Sequence, residues 1–217
     1  DRSFAKELME RASAAGCTVL FLTVDLPVAG ARYRDTRNGM TDLIGVVDKL
    51  TRAADIVSHP AWVRDVALNG KPLTFGNLEH AVPGAKNPAA FRQFVDSQFD
   101  PTVTWKDLDF IRAHWKGKIV LKGILDAEDA REAVRAGVDG IVVSNHGGRQ
   151  LDSVPSTIRA LAPIADAVAS DTTLLLDGGV RSGLDVVKAL AVGAKGVLVG
   201  RAWIYALAAR GGDGVAH

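Results

Sequence analysis

Residues 140–152 read Gly-Ile-Val-Val-Ser-Asn-His-Gly-Gly-Arg-Gln-Leu-Asp, and this stretch decides the fold. Ile141, Val142 and Val143 are apolar on both strand faces, which marks a strand in a parallel sheet covered by helices. The run ends abruptly in a polar cluster, Ser144-Asn145-His146. The same pattern recurs on either side. Thr18 to Thr23 is an apolar strand tipped by Asp25, and Ile119 to Leu121 ends in Lys122-Gly123. Thr173 to Leu176 ends in Asp177-Gly178-Gly179, and Gly196 to Val199 ends in Gly200-Arg201. Between these strands the spacing predicts helices. Phe4, Leu8, Met9 and Ala12 line the first, which stops at Gly16. Asp126 caps one that ends at Gly137. Others run over Pro155 to Val168, from Ser182 or Gly183 to Ala191 with a core stripe of Leu184, Val187 and Ala191, and over Ala202 to Ala209. A doubly wound sheet and a (β/α)₈ barrel both fit this alternation.

Residues 38–104 break the rhythm. Asn38-Gly39, Asn69-Gly70 and Pro83-Gly84 mark turns, and the stretch is too long for a plain βα loop. It reads as an irregular excursion within one barrel domain spanning 1–217. Leu43, Ile44, Val46, Val47 and Leu50 have helical spacing beside Lys49 and Arg52, so this segment suits either packing on the barrel or contact with a membrane surface.

Composition narrows the class. Of 217 residues, 47% are hydrophobic and 24% charged, which is globular composition rather than disorder. A net charge of +1 gives no electrostatic case for nucleic-acid binding. The single cysteine, Cys17, excludes an intramolecular disulfide and a cysteine-based zinc site, and its place between a helix stop and a strand reads as core. His59, His80, His114 and His217 have no metal-ligand spacing and read as surface residues. No metal site is expected. Both ends stop abruptly, and the chain reads as truncated at each.

The polar residues gather at the carboxyl ends of the strands, where α/β architectures carry their active sites. His146 at a strand tip suits a general base near neutral pH. Arg149 can fork onto a carboxylate. Gly178-Gly179-Val180-Arg181 and Gly200-Arg201 suit a phosphate grip, because glycines admit backbone N–H groups to an anion and a helix N-terminus favours its charge. Taken alone, Lys122 fits a Schiff-base lysine equally well, and Asp25 fits an ordinary turn cap.

Several stretches together resemble the FMN-dependent 2-hydroxy-acid dehydrogenases and oxidases. They are SNHGGRQLD at 144–152, TVDLPVAGARYRD at 23–35, VLKGI at 120–124, DGGVRSGLDVVKALAVGA at 177–194 and VLVGRAWIYALA at 197–208. FDPTVTWKDL at 99–108 and GARYRD at 30–35 look most like the bacterial respiratory L-lactate dehydrogenase branch. The resemblance implies a (β/α)₈ TIM barrel, represented here by its carboxyl-terminal part with about five of eight strands. It implies FMN as cofactor and oxidation of an L-2-hydroxy acid, with L-lactate favoured. His146 then takes the substrate proton, Asp25 holds the imidazolium, and Arg149 with Arg32 grips the carboxylate. Lys122 stands near flavin N1 and O2. Thr23 and Ser144 contact the flavin ring, Asp177 the ribityl chain, and Gly179, Arg181, Gly200 and Arg201 the phosphate. Whether the electrons leave as a hydride or through a carbanion stays open on sequence alone. The resemblance further implies a quinone or oxygen as electron acceptor, a homo-oligomer, and a peripheral place on the cytoplasmic side of the inner membrane or a cytoplasmic one. Two other readings stay open: a different FMN- or phosphate-binding barrel enzyme, and a non-catalytic barrel piece that needs its amino-terminal part.

Overall fold

A computed structural model describes residues 2–37, 45–70, 76–82 and 88–217. The chain forms two compact units, residues 1–30 with 100–217, and residues 31–99.

The first unit carries five parallel strands in the spatial order of the sequence: β1 (Val19–Thr23), β2 (Lys118–Ile124), β3 (Gly140–Val143), β4 (Thr173–Leu176) and β5 (Gly196–Val197). Sequential neighbours joined by helices are the arrangement of a barrel arc, whereas a doubly wound sheet reverses its order at a switch point. The helices of this unit are α1 (Arg2–Ala14), α6 (Asp107–His114), α7 (Ala127–Arg135), α8 (Thr157–Val168), α9 (Gly183–Val192) and α10 (Arg201–Ala216). The second unit holds α2 (Tyr33–Arg37), α3 (Val46–Ser58), α4 (Pro60–Trp62), which runs into a π-turn at Val63–Leu68, a 3₁₀ segment at Gly76–Ala81, and α5 (Pro88–Gln98). The expected turns at Asn38-Gly39 and Pro83-Gly84, and Leu43 and Ile44, lie outside the described residues.

The apolar runs form a core layer between strands and helices. All four residues of β3 are buried. Ile119, Leu121, Ile141, Leu161, Ile164 and Leu174 are all but inaccessible and belong to one hydrophobic cluster with Ala130 and Ala133 of α7. The alanines let α7 approach the sheet closely. Local signals agree with this packing. Asp126 caps α7 by accepting from the Glu128 and Asp129 amides, and Ser182 and Asp185 cap α9 reciprocally.

Four expectations need correction. β5 is a two-residue strand, paired among the described residues with β4 alone, although the Leu198 amide still donates to Leu176 O. Cys17 is exposed. The stripe Leu184, Val187 and Ala191 on α9 is exposed too, and the buried contact of that helix is Ala189, on the opposite side of the helix. His114 is half-buried against Phe110, with its Nδ1 2.9 Å from Phe110 O. His59, His80 and His217 are exposed as expected.

Candidate active site

The carboxyl ends of β1, β2, β3 and β4 bring five of the expected residues together: Asp25, Lys122, Ser144, His146 and Asp177. The pairing of Thr23 with Lys122 places the tips of β1 and β2 side by side. The β2–β3 ladder slips at Gly123, so Lys122 pairs with Val142 and Ile124 with Val143. A bulge of this kind re-aims the adjacent side chains. Gly123 sits at φ 118°, and a Cβ there would lie 2.7 Å from the Asp25 Cβ. Only glycine both adopts that backbone and lets the Asp25 loop lie against β2.

Lys122 is the hub. Its Nζ donates to Ser144 Oγ at 2.9 Å and ion-pairs with Asp25 Oδ2 at 3.6 Å and Asp177 Oδ2 at 3.4 Å. The Ser144 contact is a hydrogen bond, and the two carboxylates are ion-pair partners at longer range. The side chains of Lys122, Asp25 and Asp177 are under one-fifth exposed, so their charges interact more strongly than a surface pair would. His146 joins through Asp25: its Nδ1 is 2.9 Å from Asp25 Oδ1. An ionised carboxylate only accepts, so Nδ1 carries the hydrogen, and in the neutral ring Nε2 is left with the lone pair. That is the tautomer a base needs. Fully buried Ser144 does two jobs. Its hydroxyl accepts from Lys122 and, at 3.1 Å, from the His146 amide.

His146 opens a tight turn with φ 55°, followed by Gly147 at 67° and Gly148 at 68°. A non-glycine residue in this region is strained, and such strain is found at functional sites. Asn145 Oδ1 accepts from the Gly147 amide at 3.0 Å, and Asn145 Nδ2 donates to Pro155 O at 3.2 Å. Arg149 closes the turn, its amide donating to His146 O at 3.3 Å, and its side chain is half-buried. Gln150 Nε2 donates to Val28 O, which ties the loop after β3 to the loop after β1. Asn145 and Gln150 stand inside the quoted motif, yet only the fold shows that they brace it. The signal available in sequence was their place beside His146 and Arg149.

The remaining expected residues have simpler settings. Thr23 ends β1, half-buried. Gly179, at φ 82°, and Gly200 are exposed, with no atom within 4 Å of where a Cβ would stand, so both backbones are open to a ligand. The Arg181 side chain is exposed. The start of α9 is already met by its own residues: Asp185 Oδ2 accepts from the Arg181 and Ser182 amides and the Ser182 hydroxyl. The Arg181 amide first, and the Ser182 hydroxyl next, hold the Asp185 carboxyl below its ordinary range. An anion here would therefore rely on the guanidiniums and the open glycines more than on the α9 terminus. Arg201 opens α10 and donates from Nη2 to Gly147 O at 2.8 Å. Arg32 belongs to the second unit.

The site residues fit FMN on their own chemistry. Asp177 Oδ1 is buried and accepts no hydrogen bond, which suits a ribityl hydroxyl donor. Lys122 offers a cation and Ser144 retains its hydroxyl proton. Arg181 and Arg201 flank the two open glycines. Among the described residues no group of three metal-type side chains occurs, and no helix is long and apolar enough to cross a membrane.

Comparison with known proteins agrees. The family described as FMN-dependent dehydrogenase matches residues 1–217. The L-lactate dehydrogenase of Caulobacter sp. (strain K31) is 54% identical over the whole chain, which covers 56% of that protein. The L-lactate dehydrogenase of Chromohalobacter salexigens is 53% identical, with 55% of its length covered. The chain thus spans just over half the length of these relatives. A crystal structure of mandelate oxidase superposes with a TM-score of 0.71 at 40% identity, over 99% of this chain and 52% of that one.

Proposed function

From the premise that the chain belongs to the FMN-dependent dehydrogenase family, a (β/α)₈ barrel family, we propose that it carries the catalytic part of an FMN-dependent L-2-hydroxy-acid oxidoreductase, with L-lactate as substrate and pyruvate as product. The observation that carries this reading is the His146–Asp25 pair at 2.9 Å, with Nε2 left as the base.

In this reading Arg149, with Arg32, anchors the substrate carboxylate as a planar fork. His146 Nε2 accepts the proton from the substrate, and Asp25 stabilises the imidazolium that results. Lys122 and Ser144 meet the flavin ring with Thr23. Asp177 accepts from the ribityl chain, and Gly179, Arg181, Gly200 and Arg201 hold the phosphate. Bound FMN supplies the two-electron acceptor. L-Lactate is preferred to mandelate because the named lactate dehydrogenases are 53–54% identical against 40% for mandelate oxidase.

The same reading carries the protein's setting. A quinone or oxygen takes the electrons, and the enzyme is a homo-oligomer. It sits in the cytoplasm or on the cytoplasmic side of the inner membrane through α3, whose Val46, Val47 and Leu50 are exposed beside Lys49 and Arg52. Replacing those three residues by Glu is expected to release the full-length protein from membrane vesicles, and unchanged sedimentation would sink the membrane contact.

The test of function is the visible spectrum of the full-length protein with FMN, recorded without oxygen. L-Lactate is expected to bleach the flavin faster than mandelate does. Flavin that stays oxidised with every 2-hydroxy acid would overturn the proposal.

A further inference from the structure

We propose that Arg201 is a positioning residue for the His146 turn, so that one guanidinium links the cofactor phosphate to the base. This rests on the reading of His146 as base and of Gly200-Arg201 as phosphate site.

The turn is an unfavourable backbone held from several sides. Three successive residues have positive φ. On one side its amides are taken up locally: His146 N–H by Ser144 Oγ and Gly147 N–H by Asn145 Oδ1. Two of its carbonyls are taken up within the turn, Asn145 O by the Gly148 amide and His146 O by the Arg149 amide. The carbonyl of Gly147 is held by Arg201, 54 residues away, at 2.8 Å. One tip of the guanidinium also comes close to the turn, since a Cβ on Gly147 would stand 2.9 Å from Arg201 Nη2. Gly147 is thus favoured by its φ of 67°, and a Cβ there would in addition push the Arg201 tip away from the turn.

A guanidinium has five N–H donors in a rigid plane. One direction engages Gly147 O, and the others remain for an anion beside Gly200. Because the plane is rigid, an anion that orients it also orients its contact with the turn. A lysine in its place has a compact charge on a flexible stem and cannot hold both partners in fixed relation.

The test uses the full-length protein loaded with FMN, and the variants Arg201→Lys and Arg201→Gln. Both are expected to bind FMN more weakly. At saturating FMN, turnover with L-lactate is expected to stay about tenfold down with KM little changed, the scale of one lost hydrogen bond to a charged donor. Amide exchange at Gly148 and Arg149 is expected to quicken by a similar factor, while the β3 amides Ile141–Val143 hold. Turnover restored in full by saturating FMN, with unchanged exchange, would overturn the proposal and leave Arg201 a phosphate ligand alone.

A second variant approaches from the other end. Gly147→Ala is expected to weaken FMN at least about fivefold while riboflavin, which lacks the phosphate, binds as before. Equal loss of both flavins, or loss of neither, would contradict the link. Exchange and flavin affinity need no substrate. If they behave as expected but no 2-hydroxy acid reduces the flavin, the proposed reaction fails and the coupling stands.

Discussion

The two ends of the same sheet each hold a lysine and an aspartate, and they treat them differently. At the amino ends, Asp139 precedes β3 and accepts from Lys118 Nζ at 2.7 Å and from the Ile119 amide at 2.9 Å. Arg112 stands 3.6 Å away and donates to Gly117 O and Gly137 O, while Trp115 Nε1 donates to Lys118 O. Both oxygens of Asp139 are engaged. The Lys118 ammonium first, and the Ile119 amide next, hold its carboxyl below the ordinary range. At the carboxyl ends, Asp25 Oδ2 and Asp177 Oδ1 are buried without a hydrogen bond, and one lysine is shared between two carboxylates. The first arrangement is a closed clasp that pins strand to strand. The second leaves acceptors over, which costs stability unless a ligand meets them. Incomplete satisfaction, more than the presence of charge, separates a site from a brace.

This contrast can be broken by substitution at either end. The largest effect is expected for Asp25→Asn. An amide can donate to Nδ1 and fix the opposite tautomer, so turnover should fall by about 10²–10⁴ while FMN stays bound. Steady-state kinetics in the full-length protein checks this, and a fall of less than about threefold would remove Asp25 from the base. Ser144→Ala should come next. It leaves the half-buried His146 amide without its Ser144 acceptor and frees one donor of Lys122, at a cost of about 1–3 kcal/mol in positioning or stability. Faster amide exchange at His146 would show it, and Ser144→Thr should restore protection. Asp139→Asn should be mildest, with turnover unchanged and stability about 1 kcal/mol lower after solvent screening. Its pH signature has a definite sign. A carboxyl held below its ordinary value of 3.8 stabilises the fold fully above that pH and loses its contribution as pH falls below it. Denaturant titrations from pH 5 down to 2.5 should therefore show a flatter acid limb in Asp139→Asn, and identical limbs would contradict the clasp.

Much of this was legible in the residues. Apolar runs such as Ile141–Val143 declare covered parallel strands, and polar residues that follow every run declare the functional end. Lys122 and His146 could be found this way because a lysine or histidine at a strand tip has no packing reason to be there. Other features were not legible. Nothing local told that Asp139 and Arg112 form a clasp, since its members are 27 residues apart and each looks like an ordinary cap or surface charge. The stripe on α9 has the same spacing whether a neighbour covers it or not, and Leu184 and Val187 are exposed. Cys17 follows the glycine that ends α1, and that turn faces out. The two roles of Ser144 and the reach of Arg201 to Gly147 depend on distances between strand ends that only the folded sheet sets.

The proposed reaction stands or falls with His146 as its base. The measurement that tests it most directly is the rate of flavin bleaching by L-lactate, without oxygen, in the full-length protein and its His146→Asn variant, both confirmed to hold FMN. The variant is expected to keep its flavin and to be reduced at least about 100-fold more slowly. Reduction at the wild-type rate would contradict it.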